Sequence, residues 1–234
     1  MIQYVPESNQ AVNALGGGPL VMGGTAWVFC RPELQGEFDY LFVDEAGQFS
    51  LANVVATGLS ADNIVLVGDQ MQLAQPMLGA HPGDSGKSAL EYLLGGHATI
   101  PPHFGIFLNQ TWRMHPNICG FISEAVYEDR LHAHPKTSKQ GVSVPADGSG
   151  VVDKEAGIVF VPVEHEGNTQ GSQDEADVIE KIITELMGQT VSHFGGKKTT
   201  PLTLEDILIV APFNMQVRLL QDRLGAQARV GSVD

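Results

Sequence analysis

The sequence predicts an α/β fold with mostly parallel sheets flanked by helices. Three observations carry that prediction. Short runs of β-forming residues alternate with amphipathic helical patterns along the chain. Gly, Pro, Asp or Asn bounds each run, as strand ends require. Two of the runs lead directly into carboxylates and amides, and the carboxyl ends of parallel strands are where open sheets present ligand-binding groups.

The expected strands are residues 25–30 (TAWVFC), 40–43 (YLFV), 63–67 (NIVLV), 105–108 (GIFL), 158–163 (IVFVPV), 206–210 (DILIV) and 228–233 (ARVGSV). Helices are expected over residues 50–59, 88–94, 117–127, 174–187 and 215–224, where apolar residues recur at i, i+3, i+4 and i+7. Ser172-Gln173-Asp174-Glu175 reads as a capping box opening the fourth helix. Residues 95–102 read as a hinge, residues 133–156 as a surface excursion, and residues 195–201 as a smaller loop carrying Lys197 and Lys198. The domain boundary is expected near residue 100, dividing the chain into 1–100 and 101–234.

The 234 residues hold 13 Lys plus Arg against 27 Asp plus Glu, a net charge of −14. Residues 1–100 hold two basic side chains, Arg31 and Lys87, against ten acidic ones. This acidity argues against a non-specific nucleic-acid coat protein; a chain of this charge that touched nucleic acid would do so through a local groove, not through its overall field. No apolar run approaches the ~18 residues that span a bilayer, so no membrane partner is expected. The first residues, MIQYVPE, lack the basic and apolar regions of a signal peptide. Two cysteines, Cys30 and Cys119, make neither a disulfide framework nor a metal site, which places the chain in a reducing cytoplasm.

The chemistry sits in four segments. In VDEAGQ, Asp44 and Glu45 follow an apolar strand. One carboxylate can hold Mg²⁺ and its neighbour can polarise water; a solvated strand end explains the pair equally well. In GDQMQLAQP, Asp69 and three amides follow the next strand; alone, this is a polar loop. In TWRMHP, Arg113 suits bidentate phosphate contact, Trp112 reads as a core residue, and His115 as a hydrogen-bonded structural histidine. In APFNMQ, Pro212 is ordinary near a helix start and Asn214 reads as an N-cap. The segment GDSGKS (residues 83–88) imitates a phosphate-binding loop, but the required first glycine is His81 and no strand precedes it.

In this order VDEAGQ, GDQMQLAQP, TWRMHP, APFNMQ and VGSVD resemble superfamily 1 helicases, in the branch with DEAxQ and RMHP motifs. GGTAWVFC is similar to members fused to a nuclease. The resemblance covers nearly the whole chain. It implies parts of two RecA-like P-loop NTPase domains. Residues 1–100 would be the C-terminal part of the first, and 101–234 most of the second. It also implies ATP and Mg²⁺ as cofactors, and single-stranded or duplex nucleic acid as partner, with DNA and 5′-to-3′ movement favoured.

On matching positions, the resemblance implies that Asp44 binds Mg²⁺, Glu45 activates the attacking water, and Gln72 senses the γ-phosphate. Asp69 and Gln48 organise the pocket, and Arg113 reaches the γ-phosphate from the second domain. Thr25 lies near the nucleic-acid strand, with Phe213, Asn214 and Gln216 in a motif of the second domain. Where most relatives have Tyr, this chain has Trp112. The family's P-loop and the end of its later motifs are not in this sequence, which points to an internal fragment that is inactive alone. Two other readings compete: a non-catalytic interaction module derived from a helicase core, and a metal-dependent phosphohydrolase using Asp44 and Asp69.

Overall fold

The computed structural model describes residues 2–4, 15, 21–73, 79, 82–145 and 150–232. Of the residues used above, 1, 5–7, 74–76, 81, 146–149, 233 and 234 lie outside the described set. The chain divides into two compact units, Met1–Phe107 and Leu108–Asp234.

The first unit carries two parallel strand pairs. β1 (Ile2–Tyr4) pairs with β2 (Val21–Gly23), and β3 (Phe38–Val43) pairs with β4 (Ala61–Leu66). Between β2 and β3 lies a single turn of helix, α1 (Ala26–Phe29). Two further helices, α2 (Leu51–Gly58) and α3 (Ala89–Leu94), follow β3 and β4 respectively. β3 alternates: Leu41 and Val43 face a core with Ala46, Leu90 and Leu94, while Tyr40 and Phe42 face outward. Ser50 and Ser88 cap α2 and α3 by accepting the N–H groups of Asn53 and Glu91 at 3.3 and 3.0 Å. The two helix starts are tied together, with Leu51 N–H donating to Lys87 O at 2.9 Å and Ala89 N–H to Phe49 O at 3.0 Å.

The second unit also begins with parallel pairing. β5 (Gln110–Thr111) and β6 (His132–Ala133) flank α4 (Pro116–Val126). β7 (Gly141–Val142), β8 (Thr190–Ser192) and β9 (Thr199–Pro201) form an antiparallel sheet, with α5 (Gln173–Leu186) between β7 and β8. β10 (Leu208–Val210) and β11 (Arg229–Gly231) pair in parallel around α6 (Asn214–Leu224). The core joins Ala176 and Ile183 of α5 to Ile209, Ala211, Val217 and Leu220. On the outer side, Arg223 of α6 clasps Asp177 and Glu180 of α5.

All five expected helices form, each within a residue or two of its expected ends. Three expected strands do not. Residues 25–30 contain α1, with Val28 buried and Trp27 81% exposed. Residues 105–108 and 158–163 pair with no described strand, and Ile106, Leu108 and Phe160 are exposed. β-forming side chains favour a strand only where a neighbour completes the ladder. Residues 195–201 are more than a loop, because they hold a hairpin tip and β9.

Candidate nucleotide-hydrolysis site

Parallel pairing of β3 with β4 brings the two acidic loops side by side. The ladder continues past the strands: Val67 N–H donates to Val43 O and Ala46 N–H to Val67 O, both at 2.9 Å. Two glycines make the contact possible. A Cβ at Gly47 would collide with the Asp69 carbonyl oxygen, and one at Gly68 would stand 2.6 Å from Ala46 N. The loops therefore interlock backbone to backbone, and only glycine fits at either position.

This interlock fixes where the polar side chains emerge. Asp44 leaves the end of β3 exposed; one of its oxygens accepts the Glu45 N–H at 3.0 Å. Glu45 holds φ +53, a left-handed backbone that disfavours any side chain and that often marks functional positions. Its carbonyl accepts the Gln48 N–H at 2.8 Å, closing the turn and leaving the Gln48 side chain exposed. In the second loop Asp69 accepts Met71 N–H and Gln72 Nε2, each at 3.0 Å. Gln70 donates to the carbonyls of His97 and Ala98 at 2.9 and 2.8 Å, anchoring the loop from behind. The sequence counted Gln70 among three loop amides without separating this role.

Among the described residues no group of three or more His, Cys, Asp or Glu side chains could enclose a metal. Mg²⁺ needs no such cage, because it keeps waters and phosphate oxygens and takes one or two carboxylates. Asp44 fits that demand, with a carboxylate exposed at a strand end and one oxygen already oriented by a backbone amide.

The second unit presents Arg113 just after β5. Its backbone N–H is held by Thr111 Oγ1 at 3.2 Å, and its exposed guanidinium has no partner among the described residues. His115 is structural as expected: Nδ1 accepts Asn117 N–H at 3.1 Å and caps α4, with Pro116 in the first turn. Trp112 departs from its expected core role. It is 58% exposed and stacks on His134, ring centroids 3.7 Å apart. The ring leaves the two-residue β5 beside the end of β6 and meets the histidine there.

The remaining positions separate. Thr25 is exposed and occupies the N-cap position of α1 without a side-chain bond. Phe213 is exposed and takes the N-cap position of α6, so Asn214 lies one residue inside the helix and is not the cap. Gln216 is 4% exposed and spends its whole amide on Ser172. It accepts the Ser172 N–H at 2.7 Å and donates to the Ser172 carbonyl at 3.1 Å. Ser172 still caps α5 by accepting the Glu175 N–H at 3.1 Å, but Gln216 takes the backbone amide that a capping box would give to Glu175. The imitation P-loop is a turn: Lys87 is ion-paired to Asp84 at 2.8 Å, which raises its ammonium pKa.

A family described as an AAA domain matches residues 86–234. DNA-binding protein SMUBP-2 of Mesocricetus auratus is 27% identical over 206 residues, covering 86% of this chain and 20% of that protein. DNA polymerase alpha-associated DNA helicase A of Schizosaccharomyces pombe is 28% identical over 233 residues, covering 92% of this chain and 34% of that protein. DNA replication ATP-dependent helicase/nuclease JHS1 of Arabidopsis thaliana is 26% identical over 200 residues, covering 79% of this chain and 14% of that protein. The chain thus spans about a third or less of the length of these relatives.

Proposed function

Because the chain belongs to the AAA domain family, in its superfamily 1 helicase branch, we propose that it forms part of the motor of a cytoplasmic, ATP-dependent DNA helicase. The observation that carries this reading is the interlock of Gly47 and Gly68. It sets Asp44, Glu45, Asp69 and Gln72 on adjoining loops at the ends of two neighbouring parallel strands.

Each residue has a distinct task. Asp44 holds the Mg²⁺ that, when bound, neutralises charge on the phosphate oxygens. Glu45 accepts a proton from the attacking water and orients it. Gln72, steadied by Asp69, hydrogen-bonds the terminal phosphate and reports its loss. Gln48 borders the same turn. Arg113, whose guanidinium has no partner among the described residues, is the residue suited to neutralise the charge that develops during transfer. Phe213 and Asn214 contact the nucleic-acid strand, as does Thr25. Gln216 acts behind them by fixing the first turn of α6. The names of the relatives support DNA as the partner, and the name of JHS1 supports a nuclease in the same polypeptide.

The test is Arg113→Ala in a protein that joins this chain to a phosphate-binding loop. Hydrolysis is expected to fall on the order of 10³-fold, with ATP affinity changed far less. Unchanged turnover would remove Arg113 from the motor. The 234-residue chain alone, which has no P-loop sequence, is expected to show no steady hydrolysis.

A further inference from the structure

The turn that carries Arg113 is held from two directions. Nearby, Thr111 Oγ1 accepts the N–H groups of Arg113 at 3.2 Å and Met114 at 3.4 Å. From 27 positions further on, Gln140 Nε2 donates to the Arg113 carbonyl at 3.4 Å. Gln140 ends the 3-10 helix Pro135–Lys139 and leads directly into β7. Its own backbone is anchored. The Gln140 N–H donates to the Thr137 carbonyl at 3.1 Å, and the fully buried Thr137 donates its hydroxyl to the His134 carbonyl at 2.8 Å. The His134 N–H in turn donates to the Thr111 carbonyl at 2.8 Å. The bonds therefore close on themselves, from Thr111 through His134, Thr137 and Gln140 to Arg113 and back to Thr111.

Gln140 is also unusual in what it leaves unspent. Its Oε1 is buried and has no hydrogen-bond partner among the described residues. Gln216, by contrast, uses both ends of its amide on Ser172. Buried acceptors are nearly always satisfied, so an orphaned one calls for a reason. Turning the amide over would supply no partner, because Oε1 would then face the Arg113 carbonyl oxygen, acceptor against acceptor. A residue placed there for packing alone would be apolar and would avoid that cost. The donor end of Gln140 is present despite its oxygen, and the group it serves is the Arg113 main chain.

We propose that Gln140 is a positioning residue for Arg113. The guanidinium is exposed and has no partner among the described residues, so its direction is set at the root of the side chain. Thr111 and Gln140 hold the N–H and the carbonyl on either side of that root. A cation that neutralises developing charge works best when it is placed before the charge appears. Displacing such a group by about 1 Å can cost on the order of 10²-fold in rate. This inference rests on the reading of Arg113 as the residue that meets the transferred charge, and adds to it a residue outside the sequence motifs.

The experiment is nucleic-acid-stimulated ATP hydrolysis by a protein that joins this chain to a phosphate-binding loop. Wild type is compared with Gln140→Leu, Gln140→Glu, Arg113→Ala and the double variants. Gln140→Leu is expected to lower kcat about tenfold with KM for ATP held within about twofold. Its thermal melt is expected unchanged, because Leu removes an unsatisfied oxygen and water can take the carbonyl of the exposed Arg113. Gln140→Glu keeps the shape without the donor and is expected to show the same loss; it decides the matter if the Leu variant does not fold. In the Arg113→Ala background neither Gln140 substitution is expected to lower kcat further, since both act through the guanidinium. A tenfold loss that persists in that background overturns the proposal, because Gln140 then acts elsewhere. A fall in Arg113→Ala with wild-type kcat in both Gln140 variants also overturns it and leaves the motor reading standing. Wild-type turnover by Arg113→Ala itself overturns both.

Discussion

At Gly47 the requirement is a backbone carbonyl standing where a side chain would begin. Gly47→Ala is therefore expected to destabilise the first unit by about 3 kcal/mol, because the neighbour is main chain and cannot swing away. Thermal unfolding of the variant checks this, and an unchanged midpoint would mean that the loops do not interlock. The placement of Asp44 and Glu45 at a strand end beside a glycine-led second loop was legible in the sequence, because an apolar run led directly into each loop. Trp112 was not. Apolar character suggested burial, and only the pairing of β5 with β6 shows that a histidine 22 positions on supplies the stacking face. Gln216 was also opaque, because its partner is the backbone of Ser172, a residue whose own capping role was plain.

Among the elements, helices were easier to read than strands for a physical reason. A helix satisfies its backbone within itself, so periodicity and a cap suffice: α2, α3 and α5 each begin at a serine that accepts an N–H three residues on. A strand depends on a partner that the local sequence does not contain. Residues 105–108 and 158–163 have the composition of strands and no ladder among the described residues. The link between α5 and α6 shows the same dependence on distant chain. Gln216→Ala leaves the Ser172 N–H without its partner in a buried setting and its carbonyl with the Ala176 N–H alone, at an expected cost of about 2 kcal/mol. Faster amide exchange in the first turns of both helices is the sign to look for; protection at the wild-type level would mean the pair is dispensable.

For the whole molecule, charge and surface both bear on how the chain behaves. The net charge of −14 removes general affinity for polyanions, so the proposed nucleic-acid contact rests on local groups such as Thr25, Phe213 and Asn214. In the first unit one face of the β3–β4 pair packs on Leu90 and Leu94, while Tyr40 and Phe42 on the other stand exposed, Phe42 at 68%. Parallel sheets are ordinarily covered on both faces, so the chain in isolation is expected to bind an apolar dye such as ANS. Phe42→Thr should reduce that fluorescence with little change in the melting temperature. Equal dye binding by the variant would place the exposed apolar surface elsewhere.

In the proposed motor Glu45, held on the interlocked loops, activates water for ATP hydrolysis. The most direct measurement is nucleic-acid-stimulated hydrolysis in a protein joining this chain to a phosphate-binding loop, wild type against Glu45→Gln. Turnover is expected to fall on the order of 10²- to 10⁴-fold, with oligonucleotide affinity held within about twofold. Turnover by Glu45→Gln at the wild-type rate would contradict it.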